Sequence, residues 1–285
     1  FQKEYWDRVV SYTIDSVKQG LTPNPDMMCN ARVKFGAFYE YLLREKKEYD
    51  FIATGHYADT KVQDGMTHLV MSPDPIKDQT YFLAQLTQEQ IAKAMFPIGR
   101  YQKEEVRELA TRFHLPNAQR KDSQGICFLG KIPFDEFVKH HLGTEVGNIV
   151  EEGTGQVLGQ HEGFWYYTVG QRKGIRLSGG PWYVTRKNIQ TNEVFVAHGD
   201  TYDAEARDTF VIGLLNWITA APSKTDLTVK LRHGEKMYQC TLKPLTEDTY
   251  QVTLDAKDQG IAAGQFAVLY DGTTCLGSGV IQLEA

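Results

Sequence analysis

The chain has 285 residues, which at roughly 150 residues per domain is room for about two domains or three small ones. With 41% hydrophobic, 24% charged and 12% aromatic residues, 25 Gly and 10 Pro, it is excluded from the disordered and collagen-like classes. Lys and Arg total 31 against 36 Asp and Glu, a net charge of -5, so the bulk charge does not draw it to nucleic acid and any such partner needs a local basic patch. No apolar run approaches the roughly 18 residues of a membrane helix and the N-terminus lacks a signal-peptide pattern, which reads as a cytoplasmic protein with no membrane partner.

In chain order, Trp6, Val9, Val10, Thr13 and Val17 recur at helical spacing and Gly20 caps the helix they predict. The chain starts without methionine inside that amphipathic pattern, which leads us to expect residues upstream. A second helix is predicted from Cys29 to Lys47 with the stripe Val33, Phe35, Phe38, Tyr41 and Leu42. The buried-strand pattern Tyr49 to His56 follows, and helix, strand and Gly turn together are the unit of a parallel α/β sheet. Further helices are expected at Gln88 to Met95, Lys103 to Phe113 and Pro133 to His141, the last with proline in its first turn.

After Gly143 a run of glycines punctuates short apolar segments, which reads as a small β meander. From Asp208 onward strands are expected at Phe210 to Leu215, Leu227 to Leu231, Tyr238 to Leu242, Tyr250 to Leu254, Gln265 to Tyr270 and Gly279 to Leu283, in the spacing of a closed or nearly closed β-barrel. The expected domains are therefore 1–142, mostly helical α/β; 143–206, β-rich; and 207–285, a β-barrel.

Cysteines Cys29, Cys127, Cys240 and Cys275 form no CxxC pair, which argues against a zinc ribbon or knuckle. Cys240 alternates with Tyr238 and Leu242 as a core residue, and Cys275, beside a turn at Asp271-Gly272, reads as structural. In Thr22-Pro23-Asn24-Pro25-Asp26-Met27-Met28-Cys29-Asn30 two prolines stiffen a loop and Asn24 or Asp26 is placed to cap the next helix. Cys29 then falls in its first turn, where the helix end favours thiolate. Asp26 reads either as a proton acceptor or as a plain cap. Cys127, in Asp122-Ser123-Gln124-Gly125-Ile126-Cys127-Phe128-Leu129-Gly130, reads either as an approachable sulfur between glycines or as a small core hydrophobe. Two reactive cysteines that met in space would permit persulfide or disulfide chemistry. Between Gly163 and Asn192, Arg172, Lys173, Arg176, Arg186 and Lys187 are interleaved with aromatics and no acidic residue. That window suits an RNA surface and equally suits a thin β core with a solvated face.

Five segments, Thr22 to Asn30, Ala53-Thr54-Gly55-His56-Tyr57, Lys77-Asp78-Gln79-Thr80-Tyr81-Phe82-Leu83, Asp122 to Phe128 and Tyr167-Thr168-Val169-Gly170-Gln171-Arg172-Lys173-Gly174, closely resemble the tRNA-specific 2-thiouridylases. These enzymes, formerly labelled methyltransferases, place sulfur on C2 of the wobble uridine. The resemblance runs in order over nearly the whole chain. It implies an α/β fold, part of an adenine-nucleotide alpha-hydrolase-like PP-loop domain, followed by a β-rich tRNA-binding domain and a C-terminal β-barrel. It also implies ATP-dependent thiolation with Mg2+, a tRNA substrate, and a sulfur-relay protein or cysteine desulfurase as donor. Cys127 corresponds to the persulfide carrier and Cys29 to the nucleophile that releases the sulfur, leaving a Cys29 to Cys127 disulfide. Asn24, Pro25 and Asp26 would face the target base with Asp26 as base, Gly55 would approach ATP, and His56, Lys77, Asp78, Gln79, Arg232, His233 and Gln265 would touch tRNA.

The family's SGGxDS phosphate loop is not among these residues, and Ser178-Gly179-Gly180 precedes Pro181 in the β region and does not replace it. A second reading is therefore a tRNA-binding, sulfur-accepting fragment without its own adenylation. A third, an unrelated α/β ATP-pyrophosphatase ligase, is opposed by the paired cysteine motifs. On the lack of that loop we expect this chain to bind ATP weakly or not at all, and tight magnesium-dependent binding by isothermal titration would contradict this.

Overall fold

A computed structural model of the chain describes residues 1–119, 133–202 and 206–282. The opening helix runs through Gln2–Tyr5, the π-wound Trp6–Val10 and Ser11–Lys18. Gly20, at φ 74°, ends it, with the Leu21 N–H returning to the Ser16 carbonyl at 2.9 Å. Val9, Val10, Thr13 and Val17 face the core as expected, whereas Trp6 is exposed and its ring meets His141 edge-on.

The second helix begins earlier than its hydrophobic pattern suggests. Asn24 is its N-cap, accepting the Met27 N–H at 3.2 Å, and Pro25 takes the first helical position. It continues through Pro25–Cys29, the π-wound Asn30–Ala37 and Phe38–Arg44. The π turns rotate the later residues relative to a regular helix, so Val33 and Phe35 are buried while Phe38 is turned outward against Phe1. The expected parallel pairing is present: β1 (Ile52–Ala53) lies beside β4 (Ala94–Met95). The expected helix Gln88 to Met95 is split, Gln88–Ala92 being helical before β4. The helix at Lys103–Arg112 forms where expected, and Pro133 stands at the N-cap of Phe134–Leu142.

Not foreseen is a hairpin inside the helical region, β2 (Ala58–Gln63) and β3 (Met66–Met71), turned at Asp64 (φ 51°) and Gly65 (φ 75°). Positive φ at both central residues is the Asp-Gly hairpin turn. All six C-terminal strands are present: β9 (Arg207–Trp217), β10 (Asp226–Lys230), β11 (Tyr238–Pro244), β12 (Tyr250–Asp258), β13 (Phe266–Asp271) and β14 (Thr274–Ile281). They close on themselves through the β13 to β14 pairing, and β3 adds the hairpin to β14 at Val70 and Leu69. Alternation along β13 sends Ala267 and Leu269 into the barrel, while Phe266, Val268 and Tyr270 face outward into the N-terminal core.

The central segment is not a meander. Its strands, β5 (Gly147–Glu151), β6 (Val157–His161), β7 (Trp182–Asn188) and β8 (Glu193–His198), lie in the order β6-β5-β8-β7 with β5 and β8 parallel. They cover a core of their own that includes Ile149, Phe164, Tyr167 and Val196. No helix among the described residues is long and apolar enough to cross a membrane.

The seam between the N-terminal region and the barrel is polar at its centre. Lys230 Nζ lies 3.0 Å from Asp78 Oδ2 with both side chains at 1% exposure or less. Asp78 also accepts the Ser72 N–H at 3.1 Å and the Thr80 hydroxyl at 2.8 Å. Thr80 in turn meets the Tyr270 hydroxyl at 3.1 Å, and Tyr81 donates to the Phe266 carbonyl at 3.2 Å. Around it, Gln85 donates to Ser278 at 2.7 Å and Asn216 to the Ala84 carbonyl at 2.9 Å. On the far side of the N-terminal core, His56 is packed beside Phe35 and Phe96 with Nδ1 at 2.7 Å from the Thr54 hydroxyl.

Lys230→Met removes one member of a buried pair and should cost about 3–5 kcal/mol of stability in urea unfolding, with the Asp78→Asn/Lys230→Met double variant recovering part of the loss. A double variant no more stable than Lys230→Met would mean that the two charges do not depend on each other. Burial, aided by Lys34, lowers the His56 pKa from 6.5 to about 3. The unfolded chain therefore takes up a proton near pH 6.5 that the fold refuses, so stability falls on acidification through this window by about 1.4 kcal/mol per pH unit. His56→Gln should flatten that slope, and unchanged pH dependence of unfolding would refute it.

Candidate functional site

Asn24, Pro25 and Asp26 form the mouth of the site because of how the helix starts. Asn24 holds the first turn, Pro25 fixes φ, and Asp26 follows on the half-buried rim. Cys29 lies three residues beyond Asp26 and so on the same helix face, fully buried. This corrects the expectation of a first-turn position: with Pro25 at the first helical place, Cys29 enters the second turn, past the orphan N–H groups, and the helix end acts on it less. The buried Asn30 beside it donates to the Phe82 carbonyl at 3.0 Å, while its Oδ1 has no hydrogen-bond partner.

The barrel closes over this mouth. Thr22 donates its N–H to the Ala263 carbonyl at 2.8 Å, and Gly264, at φ 89°, leaves no room for a side chain, since a Cβ there would lie 2.8 Å from Leu21 Cβ. Gln265 follows directly, half-buried, its carbonyl accepting the Ile281 N–H at 2.8 Å. The Asn24 side chain hydrogen-bonds the Tyr81 hydroxyl, whose pKa burial raises. On the other lip, the ring of exposed His233 lies tilted by 35° against Phe82 with centroids 4.7 Å apart. Burial and then Lys230 lower its pKa, Lys77 adds to this, and Asp78 and Asp26 oppose it, so all four groups lie within its field. Arg232 sits next to it, more than half exposed.

Lys77 and Asp78, like Asp26, thus lie near enough to His233 to act on it, and they and Gln79 are in different states. Lys77 is half-buried, Gln79 accepts the Tyr57 N–H at 2.9 Å, and Asp78 is fully buried with its carboxylate engaged by Ser72, Thr80 and Lys230. Gly55 lies apart from this group, exposed at the end of β1, with open space where a Cβ would stand. That is where open parallel sheets receive ligands. His56 directly behind it is buried. Cys127 lies outside the described residues.

The basic and aromatic window resolves unevenly. Phe164 and Tyr167 are core, Lys187 is held by the Tyr167 carbonyl at 3.0 Å with burial lowering its pKa to about 8, and Arg186 is bound to Glu152. Arg172, Lys173 and Arg176 are exposed. Among the described residues no cluster of His, Cys, Asp and Glu is gathered to hold a metal ion. Sequence reasoning missed Lys230 and Asp258. The signal for Lys230 is a lysine ending an apolar strand that faces a core, and for Asp258 an aspartate before Gln259-Gly260 at a strand end.

Comparison with known proteins agrees with this layout. Residues 1–131 match the family described as tRNA methyl transferase HUP domain, 135–198 its PRC-barrel domain and 207–281 the aminomethyltransferase beta-barrel domain. The chain is 52% identical over 287 residues to the tRNA-specific 2-thiouridylase MnmA of Parabacteroides distasonis, covering 98% of this chain and 78% of that protein. It is 48% identical over 286 residues to MnmA 1 of Bacteroides thetaiotaomicron, covering 98% and 80%, and 47% identical over 290 residues to the Porphyromonas gingivalis protein, covering 98% and 79%. With a HUP-type α/β region, a PRC-barrel-like central domain and a closed β-barrel in this order, the chain belongs to the tRNA-specific 2-thiouridylase family.

Proposed function

We propose that the protein is a tRNA-uridine 2-sulfurtransferase that thiolates C2 of the wobble uridine with ATP and a cysteine persulfide. The observation that carries this is the meeting of Asn24–Asp26, Lys77, Arg232, His233 and Gln265 at one seam, with Cys29 one turn below Asp26, in a chain whose relatives are named for tRNA thiolation. ATP supplies the adenylyl group that turns the C2 oxygen into a good leaving group, and open space at Gly55 lets a nucleotide approach the backbone there.

In this reading Asn24 and Pro25 seat the base and Asp26 takes the N3 proton as the C2 oxygen is adenylated, the proton returning to N3 when the 2-thiouridine is released. Lys77, Gln79, Arg232, His233 and Gln265 hold the tRNA, His56 backs the site from within, and Asp78 serves by fixing the loop that carries Lys77 and Gln79. The terminal sulfur of a Cys127 persulfide attacks the adenylated C2, the new C–S bond forms as the C2–O bond breaks, and AMP leaves. The Cys29 thiolate attacks Cys127 Sγ, the S–S bond of the persulfide breaks, and a Cys29 to Cys127 disulfide is left for an external thiol to reduce. A relay protein or desulfurase supplies the persulfide sulfur, and Mg2+ accompanies ATP.

The test is thiolation of unmodified tRNA with ATP, magnesium and a persulfide donor, read as 2-thiouridine by nucleoside mass spectrometry, for this chain and for a longer relative carrying the same substitutions. Cys127→Ser should abolish product while tRNA affinity stays within about twofold, and undiminished product would refute the role of Cys127.

A further inference from the structure

Between the central sheet and the barrel lies a cleft of about 490 Å³, lined by Gly170 and Tyr202 on one side and by Arg232, Lys236, Lys257 and Gly260 on the other. The Tyr202 hydroxyl donates to the Gln259 carbonyl at 3.0 Å and ties the two sides together. Three cations here face one carboxylate, Asp258, in a chain whose net charge is -5.

Asp258 is buried at 4% exposure and receives Arg232 Nη2 at 2.6 Å, the Gly260 N–H at 2.6 Å and the Tyr238 hydroxyl. Burial pushes its carboxyl up, but Tyr238, the Gly260 N–H and Arg232 outweigh this and hold it below the ordinary range. Arg232 meets this anchor with one nitrogen only. Its Nε and Nη1 make no hydrogen bond among the described residues, and the side chain is 55% exposed. Gly260 keeps the space open, since a Cβ there would lie 2.6 Å from Arg232 Nη1. Lys236, 64% exposed, lies 3.6 Å from Asp258 Oδ2 with its ammonium 4.4 Å over the Tyr238 ring, and Lys257 is exposed.

The cleft is not isolated. Arg232 directly precedes His233 of the candidate site, and the exposed Arg172 and Lys173 follow Gly170, which lines the cleft, by two and three residues. Several cations gathered in an open cleft beside a candidate nucleic-acid site match a polyanionic strand better than a single small anion.

We propose that this cleft is a phosphodiester subsite, where Arg232, Lys236 and Lys257 take a backbone phosphate of the tRNA and Asp258 is the positioning residue that aims Arg232. It rests on the reading of tRNA as the substrate. The test is equilibrium binding of an unmodified tRNA transcript to the full chain from about 0.05 to 0.3 M salt. Lys236→Gln/Lys257→Gln, two exposed positions, should weaken binding about tenfold near 0.1 M salt and reduce the slope of log Kd against log salt by about two. Asp258→Asn adds positive charge, so a purely electrostatic role predicts tighter binding, whereas the positioning role predicts weaker binding, by about threefold or more.

Affinity and salt slope of the lysine variant within twofold of the unsubstituted chain would overturn the subsite while leaving the tRNA reading intact. An equal loss in Lys46→Gln/Lys47→Gln, at the far end of the second helix, would also overturn it. An unsubstituted chain that shows no saturable tRNA binding would remove both readings together.

Discussion

A lysine and an aspartate sealed from water, Lys230 and Asp78, hold the barrel to the loop that runs under the site. Charges at this depth are tolerated only when each is met by good geometry, so the pair selects one arrangement of the seam rather than adding much net stability. Asp78 uses both oxygens, one on the Ser72 N–H and the other on Thr80 and Lys230, and so the Ser72 to Thr80 loop has one shape. Tyr81 and Tyr270, both fully buried, carry the same constraint into the apolar core. The seam therefore behaves as one continuous interior with a polar centre, not as two surfaces that happen to touch.

The candidate site inherits its precision from that seam. Its residues come from the start of the second helix, the loop before Thr80 and two barrel turns, segments far apart in sequence. None of them is placed by its own element alone. Asn24 fixes the helix start while its side chain reaches Tyr81, and Gly264 allows the Gln265 turn to press against Leu21 and Thr22. A base held in such a mouth would be gripped by backbone whose geometry the core dictates, which is the condition for orienting a weak nucleophilic acceptor.

Elements whose side chains alternate or repeat on one face were legible in the sequence, and elements defined by distant partners were not. The barrel strands could be read from alternation, Cys240 is buried in β11 as that pattern implied, and Cys275, read as structural beside a turn, is buried in β14. The Asp64-Gly65 turn carried a hairpin signal but stood between segments with helical spacing, and the hairpin's sheet partner is β14 at the other end of the chain. Asp78 reads through the resemblance as a tRNA contact, because nothing local reveals Lys230, 152 residues away. In the central domain glycine spacing suggested consecutive hairpins, and only three-dimensional packing brings β5 and β8 side by side in parallel. The position of Cys29 was misjudged by a single turn, since the apolar stripe starts after Pro25 has already begun the helix.

The attachment of β3 to β14 has a consequence for how the chain is made. Val70 and Leu69 pair with Thr274 and Cys275, so the β3 edge waits for a strand that is made more than 200 residues later. Until then its N–H and C=O groups are an open template for strands of other molecules. Sequence-distant pairing of this kind slows folding and prolongs that exposure. The short, strongly turned hairpin and the exposed Lys61 and Gln63 on β2 blunt the opposite edge, which pairs with no further strand among the described residues. The β3 edge has no such guard, and its protection during synthesis falls to whatever holds the nascent chain.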